Sequence, residues 1–203
     1  MANLLQMRRM LRNRMAASSS DQFFKDDVLD DALNNALATF ESERNWPWQL
    51  QQSNIVTTDA TGDVAVPTDW RATRSVWCQG DLSEVAPYDL LERDATIGTP
   101  AVFAMVGTTM KLWPYAPAGT TIKLIYARQP TLLVNDNDSP QMPALYYPAL
   151  IAKAAQLASV REDDRAAAGT HLLEYQQWLE RLNMTTVQST RPKGRRIRPG
   201  SWV

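Results

Sequence analysis

Cysteine and histidine are almost missing from these 203 residues: Cys78 and His171 are the only examples of each. One cysteine excludes an internal disulfide and fits a reducing compartment. One imidazole cannot build a histidine metal centre, and no second histidine stands ready to activate Cys78. The sequence also lacks a phosphate-binding glycine loop with lysine, a Cys-x-x-Cys pair and a His-Glu-x-x-His helix, so the common signatures of nucleotide, zinc and metalloprotease chemistry are absent. Long apolar runs are missing too. The longest, Ala144 to Val160, is short and contains Lys153, which argues against a membrane span. Arg8, Arg9, Arg12 and Arg14 precede no long apolar core, so the start does not read as a signal peptide.

Charge is present but unevenly placed. Residues 1–20 carry those four arginines and no acid, and residues 185–203 carry Arg191, Lys193, Arg195, Arg196 and Arg198, again with no acid. Residues 21–184 hold the other 12 basic and all 22 acidic groups, so the body stands at −10 and the two ends together at +9. Basic ends on an acidic body point to a negative partner: nucleic acid, the body of a second copy, or another acidic protein.

Apolar periodicity places helices at both ends of the chain. Tyr147, Ile151, Ala154 and Ala158 are spaced 4, 3, 4, and Ala168, Leu172, Tyr175, Leu179 and Leu182 are spaced 4, 3, 4, 3. Each set forms one stripe on a helix. Pro143 and Pro148 start the first helix near Leu145–Tyr147, since proline suits a first turn and breaks an interior. Asp163 and Asp164 start the second, where carboxylates cap free amides, and Met184 marks its expected end. Leu29, Leu33, Ala36 and Phe40 predict a third helix, from about Phe23 to Arg44. Ala2 to Met15, with Leu4, Leu5, Met7, Met10, Leu11 and Met15 among arginines, predicts a short amphipathic helix. Packing on protein is the favoured use of its apolar face, over a membrane surface.

Between these lie strand patterns. Segments 48–58, 64–66, 71–79, 100–106, 110–113 and 120–127 read as short strands, with a helical turn in 86–94 and a hairpin at Gly107-Thr108-Thr109. The expectation is an α+β fold: a helical bundle of N- and C-terminal helices, with an inserted antiparallel β domain and an extended C-terminal arm. Its parts are a basic N-terminal helix (1–20), a bundle helix (21–47), the β block (48–130), a helical hairpin (140–184) and the basic tail (185–203).

No constellation reads as a catalytic site. His171 sits mid-helix and Cys78 beside Trp77 in a strand, both more simply structural. Asn135-Asp136-Asn137-Asp138 starts like a calcium loop. Gln141 and Tyr147 stand where the loop needs its glycine and closing glutamate, so the stretch reads as a turn. Glu162-Asp163-Asp164 reads as a helix start rather than a metal cluster. No metal or cofactor is expected. Five of the seven tryptophans (Trp46, Trp48, Trp70, Trp77 and Trp113) fall in or beside the β block, as core or subunit contacts rather than base-stacking platforms. The tail, with Ile197 and Trp202 among its charges, is the main candidate partner-binding segment, and Arg8, Arg9, Arg12 and Arg14 form a second.

Several segments together resemble a family. These are Leu33-Asn-Asn-Ala-Leu-Ala-Thr-Phe40 followed by Asn45-Trp46-Pro-Trp48, then Val64-Ala-Val-Pro-Thr-Asp69, then the hairpin into Lys111-Leu-Trp-Pro114. Ile125-Tyr126 and Pro143-x-x-Tyr146 opening an Ala-rich helix complete the set. Over about residues 22–184 the layout is similar to phage head–tail connector (adaptor) proteins, including the tail-tube adaptor of short-tailed phages. The resemblance implies a structural virion protein without catalysis, located in the head–tail neck and assembled in the host cytoplasm. It implies a ring, usually of twelve subunits, that joins the portal to the next tail component while DNA passes through its channel. Extended C-terminal arms in such adaptors reach the portal. By position that role falls to Arg191, Lys193, Arg195, Arg196, Ile197, Arg198 and Trp202. Two other readings remain: a nucleic-acid-binding module using the basic ends, and an enzyme such as a peptidoglycan hydrolase.

Overall fold

A computed structural model describes residues 2–16, 24–43, 46–58, 60, 62–91 and 93–190; for 91 and 183–190 it describes the backbone alone. The fold is α+β, and the chain divides into two compact units. One unit combines Met1–Ser42 with Thr131–Val203, and the other is Glu43–Pro130.

The first unit is helical. Helix α1 (Leu4–Met15) opens on a capping box: Gln6 N–H donates to Asn3 Oδ1 at 3.0 Å, and Asn3 N–H to Gln6 Oε1 at 3.2 Å. It closes at Ala16 in the left-handed conformation. Leu4, Met7 and Leu11 lie on one face of α1 and are fully buried. Helix α2 (Asp26–Ser42) buries Leu29, Leu33, Ala36 and Phe40, the predicted stripe, together with Ala32 and Leu37.

A single 3-10 turn, Ala144–Tyr146, leads from Pro143 into helix α4 (Tyr147–Arg161), with Pro148 in the first turn as its fixed φ favours. Nine residues of α4 are buried, on all but the side that carries Lys153, Gln156, Leu157 and Val160. The small side chains of Ala149, Ala152, Ala154, Ala155 and Ala158 let neighbours approach closely, and α1, α2 and helix α5 (Arg165–Thr190) all contact it. The Ala-rich sequence is therefore the mark of a central helix.

Two features of α5 differ from expectation. It runs to Thr190, six residues past Met184, so 185–190 are helical rather than extended. Among its described side chains, 165–182, the buried positions are Ala168, Tyr175 and Leu182, a seven-residue repeat, while Leu172 is 37% exposed. One narrow seam suffices because α4 is the helix α5 packs on most. Asp164 caps α5 as expected: its Oδ1 accepts from Ala167 N–H at 2.9 Å.

The second unit holds two sheets. The first has the order β1-β7-β3, all antiparallel, from β1 (Leu50–Val56), β7 (Thr121–Arg128) and β3 (Trp70–Trp77). The second has the order β2-β6-β5-β4, from β2 (Asp63–Ala65), β6 (Thr109–Trp113), β5 (Val102–Val106) and β4 (Ser83–Glu84). The β5–β6 hairpin turns at Gly107, whose φ of +60° a side chain would strain. The short strand β4 pairs with β5 in parallel, so the block is mixed rather than wholly antiparallel. Two residues are too few to show a period, and the sequence carried no sign of β4. A one-turn helix α3 (Pro87–Leu91) falls inside the predicted 86–94 segment. The unit's core joins Val64, Val76, Cys78, Phe103, Met110, Leu112, Ile122, Leu124 and Tyr126. Among the described residues no helix is long and apolar enough to cross a membrane.

Candidate interaction surfaces

The arginine-rich start of the chain is tied down by the rest of the first unit. The Asn135–Asp138 segment is a turn, not an ion loop. Asp138 Oδ2 accepts from the N–H groups of Val134 and Asn135, each at 2.8 Å, and these bonds hold its carboxyl below the usual carboxylate range. The same turn offers its carbonyls to α1: Leu4 N–H donates to Asp138 O at 2.8 Å and Leu5 N–H to Asp136 O at 3.2 Å. Two of the donors that every helix start leaves open are thereby satisfied. Asn34 on α2 holds the other end of this loop through paired bonds with the Leu133 backbone, at 2.8 and 3.0 Å.

Arg8 crosses this junction. Its side chain is 8% exposed, and its guanidinium donates to Asp30 Oδ2 at 2.6 Å and to Asp136 Oδ1 at 2.6 Å. The fork thus links α1, α2 and the turn. Arg12 donates to Asp26, an interaction that lowers the Asp26 pKa. Arg14 pairs with Glu174 on α5. Three of the four N-terminal arginines therefore have partners within their own unit, and Arg9 is exposed. Arg191, Lys193, Arg195, Arg196, Ile197, Arg198 and Trp202 lie outside the described residues.

Neither titratable singleton sits in a reactive setting. Cys78 is buried in the second core, and burial pushes its thiol up, away from the nucleophilic thiolate. His171 is half-buried, and desolvation, with Arg14 as a second cause, lowers its pKa. No group of three or more potential metal-binding side chains gathers among the described residues.

Two concavities are lined by mixed chemistry. In the second unit, a cavity of about 300 Å³ is bounded by Asp63, Arg93, Lys111, Trp113 and Tyr115 among others. Arg93 lies 4.5 Å over the Trp113 ring, and Lys111 Nζ reaches Asp63 at 2.9 Å, so most of the charge is already balanced. In the first unit, an open groove of about 570 Å³ runs between α1 and α4, with Met10, Tyr147 and Ile151 beside Asn13 and Arg14 in its lining. The arrangement offers surfaces for holding other molecules and assembles no nucleophile, base or metal cage among the described residues. The family model of the SU10 adaptor protein matches residues 2–199.

The chain belongs to the SU10 adaptor protein family. The match covers nearly the whole sequence and agrees with the resemblance to phage head–tail adaptors. It extends that likeness to the N-terminal helix and most of the tail. Membership makes the chain a structural phage adaptor and a virion component that contacts other head or tail parts. No curated protein matches the chain. The Arg8–Asp30–Asp136 junction was not legible as a site. Its one signal was a run of four arginines facing Asp26, Asp27, Asp30 and Asp31 across a short break.

Proposed function

We propose that this adaptor forms a ring, of twelve subunits as the resemblance implies, that docks beneath the portal and presents the next tail component. DNA passes through its channel without sequence-specific binding, and the chain performs no catalysis. The observation that carries this reading is the family match across residues 2–199. The structure supports it in one respect. Most of the N-terminal arginines are committed to holding α1 in place, which leaves the C-terminal segment as the main unassigned source of positive charge. In this reading Arg191, Lys193, Arg195, Arg196, Ile197, Arg198 and Trp202 bind the portal, with charge for attraction and Trp202 as the anchor. Exposed Arg9 supplements them.

A second reading, a nucleic-acid-binding module, draws on the five basic residues and absent acids of 185–203. Truncation after Thr190 separates the two. Loss of portal binding from a chain that never binds duplex DNA supports the adaptor. A salt-dependent DNA affinity in the full chain that the truncation removes supports the module.

A further inference from the structure

Strand β1 is an edge of its sheet that has none of the usual defences. Its seven residues pair without interruption with β7, from Leu50 opposite Ala127 to Val56 opposite Thr121. No described strand covers its other side. An open strand edge presents unpaired N–H and C=O groups, and proteins blunt such edges with charge, proline, bulges or brevity. The other three edges here are blunted. Strand β3 carries two register shifts and the charges of Arg71 and Arg74, β2 has three residues, and β4 has two. By contrast β1 is regular, free of proline, and lies within an uncharged stretch from Asn45 to Thr58. Five of its seven residues are exposed, with Leu50 at 42% and Val56 at 56%, while Ser53 and Ile55 are half-buried.

We propose that β1 pairs, antiparallel and across a two-fold axis, with β1 of a second copy of this chain. Two features select that occupant. First, β1 is the one described edge able to form a seven-residue ladder, so its fitting counterpart in another copy is the same strand. Second, a two-fold axis sets the edge against itself, so charges of one sign along it would be brought together across the axis; β1 carries no charge and meets no such repulsion. In the register centred on Ser53, Leu50 lies opposite the second copy's Val56, Gln51 opposite its Ile55, and Gln52 opposite its Asn54. Both exposed apolar ends are covered, and the amides meet each other. The product is one six-stranded sheet. Such a contact is isologous, whereas a ring needs heterologous contacts. It therefore belongs to the adaptor away from its ring and is independent of the ring proposal.

Sedimentation velocity on the full chain over a concentration series tests this pairing. Two charge variants keep the test independent of folding: Gln52→Lys with Asn54→Lys, and Gln52→Glu with Asn54→Glu. Each sets like charges opposite one another across the axis. The expected results are a reversible dimer for the native chain, at least tenfold weaker association for each variant alone, and a heterodimer when the two variants are mixed. A native chain that stays monomeric throughout overturns the proposal. So do variants that dimerise as well as the native chain. Loss of portal-bound rings in both variants, with a monomeric native chain, also overturns it and assigns β1 to a contact within the ring.

Discussion

Replacing Arg8 by methionine keeps much of the side chain's apolar stem and removes its charge. The guanidinium is 8% exposed, Asp30 is 23% exposed and Asp136 is 58% exposed. Removing one member of a fully buried pair costs about 3–5 kcal/mol. Water reaches Asp136 easily and compensates its loss, as it does for surface pairs worth less than about 1 kcal/mol. Asp30 is more enclosed and loses two bonds. The expected cost is about 2–3 kcal/mol. Helix α1 stays docked nonetheless, because Leu4, Met7 and Leu11 are fully buried and each contributes about 1.5–3 kcal/mol. The substitution should thus lower the melting temperature of the helical unit by about 4–12 °C, at about 2–4 °C per kcal/mol for a chain of this size. Thermal and urea unfolding followed by circular dichroism reads the change, with a double-mutant cycle against Asp30→Asn to isolate the pair. A loss below about 0.5 kcal/mol would place Arg8 among ordinary surface ion pairs and refute the junction.

Tyr126 donates to Asp69 Oδ1 at 2.8 Å, and its pKa is pushed up to about 12, mainly by burial. Tyr126→Phe should cost about 1.5–3 kcal/mol in the β unit, measured by urea unfolding. Gly62→Ala should destabilise the same unit by about 1–3 kcal/mol, since φ is +76° and an added Cβ would clash with the Tyr115 ring and fall 2.9 Å from the Leu112 carbonyl oxygen. A normal melting temperature would contradict the packing at that turn. Desolvation holds the folded pKa of His171 below its ordinary value of 6.5, so the unfolded chain binds the proton more readily. Stability should fall as pH drops through 6.5 towards the folded pKa, and His171→Gln should flatten that slope in a pH series of melting curves. Asp26, held low by Arg12, adds a separate loss below its ordinary value of 3.8.

How much of this was legible in sequence depended on the range of each interaction. The α2 stripe at Leu29, Leu33, Ala36 and Phe40 and the Gly107 hairpin were readable because their signals are local. The Leu172 position misled: simple helical spacing assigns it to the core, whereas α5 buries a seven-residue seam beside it. The end of α5 was missed because 185–190 lacks an apolar period, although Thr, Val and Gln can continue a helix already nucleated. The role of Arg8 was hidden because Asp136 lies 128 residues away. The open edge of β1 appears only once strand order is known, since the sequence of an edge strand does not announce which side its partner takes.

The central claim is tested most directly by imaging the full chain, with portal rings added, by negative-stain microscopy alongside light scattering. The account predicts a ring of this chain seated on the portal. A stable monomer or dimer that ignores the portal and binds duplex DNA would contradict it.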